Sequence, residues 1–404
     1  MTTREDPHAA GSRLAAARKA SGKTQEEAAN HLGLSRPTLI AIEKGTRAPS
    51  PQEIVALAGF YGRTVHEIVR PSAPAIPLAP FLRRAASDLG GPEKDLDNPI
   101  AEFQQFAEDY RELELLLGAA MSFNGPPEVQ LPSSGSLADF AEDVAGRERA
   151  RLQLGDQPIL NLRELLESEV GLRIFSSALP SRVAGMYACV AELGCCVMVN
   201  KRHPAERQRA SLAHEYAHVF CDRHRAHVET VAAKGKTPAN ERFAELFAMA
   251  FLMPGTSIRR FFRETRERTG DFKVADLCQV ASHFRVSVQA AALRLTHLGS
   301  VPQGTWDYLQ ERGFRPGEAR RELGLSPAPA ESEADYPKRY MFLAVQAYLL
   351  EKISEGQLAR FLRTDRVEAR RITAECLTRA ELDAEGNVVP LALRFEESLL
   401  QPKT

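Results

Sequence analysis

Ala213-His214-Glu215-Tyr216-Ala217-His218 is the stretch on which the reading of this chain turns. It lies near the middle of a run, about Pro204 to Cys221, that reads as one helix. Pro204 suits a first turn, because it lacks only a donor that would be orphaned there. Four residues apart, His214 and His218 project from one helical face. Two imidazole nitrogens so placed can reach one tetrahedral zinc at about 2.0–2.1 Å. Glu215, one residue on, points to the side of the pair, where a carboxylate can take a proton instead of ligating. Leu212, Val219 and Phe220 make the flanks apolar, as a buried helix requires. The plain alternative is an exposed face that carries two histidines by accident, and a third ligand decides between the two.

Working outward, the next helix opens at Glu241-Arg242-Phe243-Ala244-Glu245 and runs to Met253, where Pro254-Gly255 stops it. Glu241 and Glu245 are also four apart and face one way. Either can be the third ligand, leaving the other to hydrogen-bond a ligand histidine. His203, His224 and His227 compete, but they lie in or beside loops and read as surface residues. Upstream, Asn161 to Gly171 reads as a short helix and Arg173-Ile174-Phe175 as a strand. Val183 to Val190 and Cys195 to Val199 read as two more strands around a hairpin turn at Glu192-Leu193-Gly194. A small sheet with a metal-bearing helix beside it is an α+β arrangement. Past Gly255, residues 272–284 and 286–298 read as two helices with a short turn, part of the same core.

At 404 residues the chain exceeds one ordinary core, and two to four domains are expected. Apolar content of 44% and charged content of 26% are those of a soluble globular protein. No apolar run approaches the roughly 18 residues that a membrane span needs, and Met1 to Asp6 lack the apolar core of a secretory signal. Six cysteines without a C-x-x-C spacing exclude a zinc ribbon and read as reduced thiols of a cytoplasmic protein. The net charge of −1 is unevenly spread. Residues 1–70 carry ten Lys/Arg against seven Asp/Glu, and residues 72–150 carry six against fourteen, so only the first segment suits a polyanion.

Residues 1–71 read as a small all-α domain. Thr24 and Glu27 form a capping box, Ser35 caps a helix from Arg36 to Glu43 with Pro37 in its first turn, and Ser50-Pro51 begins another. Two helices joined by a tight turn at Gly33, the second opening with polar residues, make a helix-turn-helix pattern. Residues 72–154 read as a connector. A proline-spaced linker, Pro71 to Pro80, leads to a helix from Ile100 to Ala119 whose Phe103, Phe106, Tyr110, Leu113 and Leu117 form a packing stripe. A further helix runs from Leu137 to Leu154. The acidity of this segment suggests that it faces solvent or a partner. In residues 301–404, a second linker (Pro327 to Glu333) precedes a helix from Tyr336 to Glu351. Ser354 to Leu362 and Arg366 to Arg371 then form another helix-turn-helix-like pair, which either supports DNA binding or packs on the preceding domain. Asn387 to Leu391 reads as a short strand.

Two resemblances now stand out. Leu14, Arg18, Gln25-Glu26, Leu32-Gly33-Leu34-Ser35-Arg36, Thr38-Leu39, Ile42-Glu43, Gly45, Arg47 and Pro49 fall at the spacing of the phage-repressor-like (Xre) helix-turn-helix family. That resemblance implies double-stranded DNA as a partner and Gln25, Arg36 and Thr38 as its contacts. One copy would bind weakly, so a homodimer or a second DNA-contacting element is implied. Arg173-Ile174-Phe175, Ala184-Gly185, His203-Pro204-x-Glu206-Arg207-Gln208-Arg209, Leu212 to His218, and Glu241-x2-Ala244-x2-Phe247-Ala248-x2-Phe251-Leu252-Met253-Pro254 resemble the ImmA/IrrE metallopeptidases. What this implies is a gluzincin-like endopeptidase that uses Zn2+ and cuts a repressor protein. Its ligands would be His214, His218 and Glu241, and its general base Glu215. Tyr216, His227 and Arg209 are candidates to stabilise the oxyanion.

The expectation is therefore a mostly α, multi-domain cytoplasmic protein: 1–71 helix-turn-helix, 72–154 connector, 155–300 zincin-like α+β domain with a small sheet, and 301–404 a helical C-terminal domain. It would be a DNA-binding regulator whose zinc peptidase cleaves a helix-turn-helix repressor in a stress, DNA-damage or phage response. The alternative is a transcriptional regulator or antitoxin whose peptidase fold acts as a sensor without proteolysis.

Overall fold

The computed structural model describes residues 7–21, 23–61, 93–230, 238–331 and 334–378, together with Val65, Ile68, Leu78, Phe81, Leu82 and Ala85. The tail expected to form a strand, Asn387 to Leu391, lies outside the described residues, as does most of the first proline-spaced linker. The chain forms two compact units, Met1–Ala75 and Ile76–Thr404.

In the first unit, helices α1 (Pro7–Ala20), α2 (Gln25–His31), α3 (Arg36–Glu43) and α4 (Pro51–Phe60) follow one another. Thr24 and Ser50 make capping boxes with Glu27 and Glu53, and Ser35 accepts from the Thr38 amide, so the orphan donors of three helix starts are met locally. Leu14, Ala28, Leu39, Ile42 and Leu57 close the core. Within it the Arg18 guanidinium pairs with Glu43 at 2.6 Å.

The second unit is built on a four-stranded mixed sheet in the order β1-β3-β2-β4, where β1 is Arg173–Ser177, β2 Val183–Val190, β3 Gly194–Asn200 and β4 His227–Thr230. β1 runs parallel to β3, and the other pairings are antiparallel. Alternate residues leave the sheet on opposite faces. Ile174, Tyr187, Cys195 and Val197 join one core, and Phe175, Met186, Cys196 and Met198 join the other. Both faces are covered, which is why these strands read as continuous apolar runs.

Helix α5 (Asp97–Leu117) and the C-terminal helices α6 (Lys338–Leu349), α7 (Glu355–Phe361) and α8 (Arg366–Thr378) cover the second face, where Phe103, Phe106, Tyr340, Leu343 and Phe361 pack on Phe175 and Met198. The helix-turn-helix-like pair near the C-terminus packs on this face through Leu358, Phe361, Leu362 and Ala369. The acidic residues of α5 also find their partners within the chain. Asp109 meets Arg360 at 3.2 Å and Arg363 at 3.4 Å, and Glu114 meets Arg173 at 2.7 Å and Arg339 at 3.0 Å. The expectation that this acidity faces solvent or a partner is corrected for these two residues, since pairing with arginines from distant segments permits their burial.

Burial raises the Asp109 carboxyl to about 6, even though Arg360 and Arg363 oppose it. The native state therefore holds a proton that the unfolded chain releases near its ordinary value, and stability falls as pH rises from about 4 to about 6. Asp109→Asn is expected to remove that slope. Unfolding free energies from urea at pH 4 and pH 7 should show the wild type losing about 2 kcal/mol more than the variant across this window. Parallel pH profiles would refute the assignment.

Cys189 and Cys195 form a disulfide, contrary to the reading of all six cysteines as thiols. They are direct cross-strand partners on the same face, where the β2–β3 hairpin brings them together. Cys196, Cys221 and Cys278 are free thiols.

Candidate metal centre

The motif helix is α9 (Ala205–Cys221), and its residues from Ser211 to Phe220 are all buried. It packs on the first face of the sheet and against α10 (Ala239–Leu252), through Tyr216, Phe220, Phe247 and Phe251. One helical turn apart, His214 and His218 bring their Nε2 atoms to 3.4 Å. The first turn of α10 supplies Glu241, whose Oε2 lies 3.4 Å from His214 Nε2 and whose Oε1 lies 3.9 Å from His218 Nε2. Glu245, the alternative from the same helix, is exposed and stands outside this group.

The edge strand β4 brings in a residue that sequence reasoning left at the surface. His227 Nε2 is 3.0 Å from Glu241 Oε1, and its Nδ1 is 3.2 Å from Glu215 Oε2. Donor atoms of His214, His218, His227 and Glu241 all lie within 4.8 Å of one another. His203 instead bonds the Ser181 carbonyl, and His224 lies exposed near Glu128. Neither belongs to the group.

Of the three oxyanion candidates, two point elsewhere. The Tyr216 hydroxyl donates to Glu148, and Arg209 is buried and donates to Glu331 and to the Ile159 carbonyl. Only His227 faces the cluster. Asp222 is a further residue the sequence reading missed. Its Oδ1 accepts from His218 Nδ1 at 2.9 Å, and Asn240 holds its other oxygen at 2.7 Å. That carboxylate fixes which imidazole nitrogen of His218 turns toward the cluster. Its position, four residues after His218 at the residue that caps the helix, was a usable signal.

Electrostatics bind the group together. Burial opposes ionisation of His227, but the Glu215 and Glu241 carboxylates outweigh it and push the ring up to about 10. Against the effect of burial, hydrogen bonds from His214 and His227 hold Glu241 below its ordinary range. Burial, with His227 beside it, pushes His218 down. Glu215 is fully buried, and its Oε1 has no hydrogen-bond partner. A Cβ at Gly185 on β2 would stand 2.8 Å from that oxygen, so the glycine is what lets the carboxylate approach the sheet. An orphaned carboxylate oxygen beside a donor set of imidazoles and one carboxylate fits a zinc site.

The profile of the IrrE N-terminal-like domain, peptidase family M78, matches residues 168–296 and so spans β1, α9, β4 and α10. A helix-turn-helix profile matches residues 14–68. The chain belongs to the helix-turn-helix family and carries an IrrE-like domain of the M78 peptidases. It is 44% identical over 48 residues to the transcriptional repressor RstR of the cryptic phage CTXphi from Vibrio cholerae, covering 12% of this chain and 43% of the repressor. It is 47% identical over 45 residues to an uncharacterized HTH-type transcriptional regulator of Methanocaldococcus jannaschii, covering 11% of this chain and 68% of that protein. Among solved structures, ComR from Streptococcus suis aligns over 93% of this chain and 90% of that chain at 14% identity, with a TM-score of 0.15, too low to carry an argument.

In the helix-turn-helix unit, Arg36 is exposed at the start of α3. Thr38 is half-buried with its hydroxyl 2.8 Å from that of Ser35. Gln25 donates to Glu43 at 2.9 Å, so part of its hydrogen-bonding capacity is already used within the unit. No helix among the described residues is long and apolar enough to cross a membrane.

Proposed function

We propose that this chain is a cytoplasmic DNA-binding regulator whose IrrE-like domain is a zinc endopeptidase that cleaves a helix-turn-helix repressor, in a stress, DNA-damage or phage response. The observation that carries the reading is the meeting of His214, His218 and Glu241 beside the buried, half-satisfied carboxylate of Glu215. A zinc ion held by these donors supplies Lewis acidity to the scissile carbonyl and to water. Glu215 takes the proton of the attacking water and passes it to the departing amine. Asp222 keeps the His218 ring in register, and Gly185 gives Glu215 the room it needs. Arg36 and Thr38, with Gln25, contact operator DNA, and a dimer supplies the second half-site.

The test is a cleavage assay on candidate repressors with zinc-loaded protein and its Glu215→Gln variant. The variant is expected to cut at least about 100-fold more slowly, the usual contribution of a positioned general base, while both bind operator DNA equally. Equal cleavage by the two proteins would overturn the peptidase assignment.

A further inference from the structure

We infer that His227 is the fourth protein ligand of the resting metal centre, so that the centre is closed until β4 withdraws that histidine. The inference rests on the zinc reading above and adds its regulation. Donors bound at about 2.0–2.1 Å in a tetrahedron stand about 3.4 Å apart. The separations here are 3.4 Å for His214–His218, 3.4 Å for His214–Glu241, 3.9 Å for His218–Glu241 and 3.0 Å for His227–Glu241. They scatter about the tetrahedral edge, with Glu241 meeting His214 through Oε2 and the other two imidazoles through Oε1, and donor atoms of all four residues lie within 4.8 Å of one another.

The partners of the imidazoles point the same way. A ligand histidine characteristically gives its second nitrogen to a carboxylate, which fixes the tautomer and aims the first nitrogen at the metal. His218 has that arrangement through Asp222, and His227 has it through Glu215. Closed sets of four protein donors mark resting or structural zinc sites, whereas a working catalytic site keeps one position open. Here the fourth position is filled, and the general base is engaged with the residue that fills it. One displacement would undo both. His227 sits at the start of a four-residue edge strand that, among the described residues, pairs with β2 alone, across a register irregularity between Val183 and Gly185. Short edge elements with one neighbour open at low cost. Cleavage then comes from the open minority, in proportion to its population.

The test uses the full chain loaded with zinc, or with cobalt(II) as a spectroscopic substitute. X-ray absorption is expected to count three imidazoles in the wild type and two in His227→Ala. Acetohydroxamate should shift the cobalt spectrum of the variant and leave that of the wild type unchanged. His227→Gln, which keeps a side-chain amide between Glu215 and Glu241, serves if the alanine variant misfolds. Glu215→Gln should retain three imidazoles but bind zinc about 10- to 100-fold more weakly, as loss of an orienting carboxylate does. Unchanged affinity there would overturn the tie between Glu215 and His227. Two imidazoles and a full hydroxamate response in the wild type would overturn the closed centre and leave the peptidase reading standing. A wild type that binds no zinc would overturn both.

Discussion

Glu114→Ala is expected to destabilise the Ile76–Thr404 unit by about 3–5 kcal/mol, the usual cost of removing one partner from a buried ion pair. Glu114 is 1% exposed and belongs to α5, yet its oxygens serve three other segments. Arg173 of β1 donates at 2.7 Å, Arg339 of α6 at 3.0 Å, and the Met121 amide at 3.3 Å. Arg339 is partly exposed and can turn toward water. Arg173 cannot, because its side chain is 6% exposed and lies over the Tyr110 ring. The variant therefore leaves a buried cation without an anion. Glu114→Leu combined with Arg173→Met should recover much of the loss, since packed apolar groups replace a buried pair at little net cost. Urea unfolding of the two variants measures this. A single-variant loss below about 1 kcal/mol would show that the pair is as weak as a surface one.

Much of this architecture is legible in local sequence rules. Thr24, Ser35 and Ser50 announce helix starts because their hydroxyls satisfy amides three residues on, and the structure places all three as caps. The α9 face is legible because a four-residue spacing is a fact of helical geometry. The same spacing leaves Glu241 and Glu245 indistinguishable, and only the position of α10 against α9 brings Glu241 to the histidines. β4 escaped notice because four residues, His-Val-Glu-Thr, are too few to show alternation. Its histidine becomes a cluster member only through pairing with β2, which no local rule encodes. Direction was equally hidden for Tyr216 and Arg209. Both are near the motif in sequence, yet Tyr216 turns to the buried Glu148 and Arg209 to the half-buried Glu331. The arginine partners of α5 lie more than two hundred residues away in sequence, except for Arg173, so the acidity of that helix looked like a solvated face.

Glu241→Ala is expected to weaken zinc binding roughly a hundredfold to a thousandfold, while Glu245→Ala leaves it within about twofold. The magnitude follows from sharing a site energy of about 10–16 kcal/mol among four donors, at about 1.4 kcal/mol per tenfold. Glu241 is the only carboxylate in the donor group, so its loss also removes the charge that offsets a divalent ion among three neutral imidazoles. Glu245 differs from it by one helical turn and lies exposed, which makes it an internal control for helix propensity and surface charge. Competition against a chromogenic chelator gives both constants. Equal losses would mean that α10 is rotated relative to α9 in solution, and no loss in either would remove Glu241 from the centre. Operator binding belongs to the unit that holds α3 and is expected to survive both substitutions. A Glu241→Ala protein that binds DNA normally, holds zinc poorly and cuts nothing would separate the regulator from the peptidase.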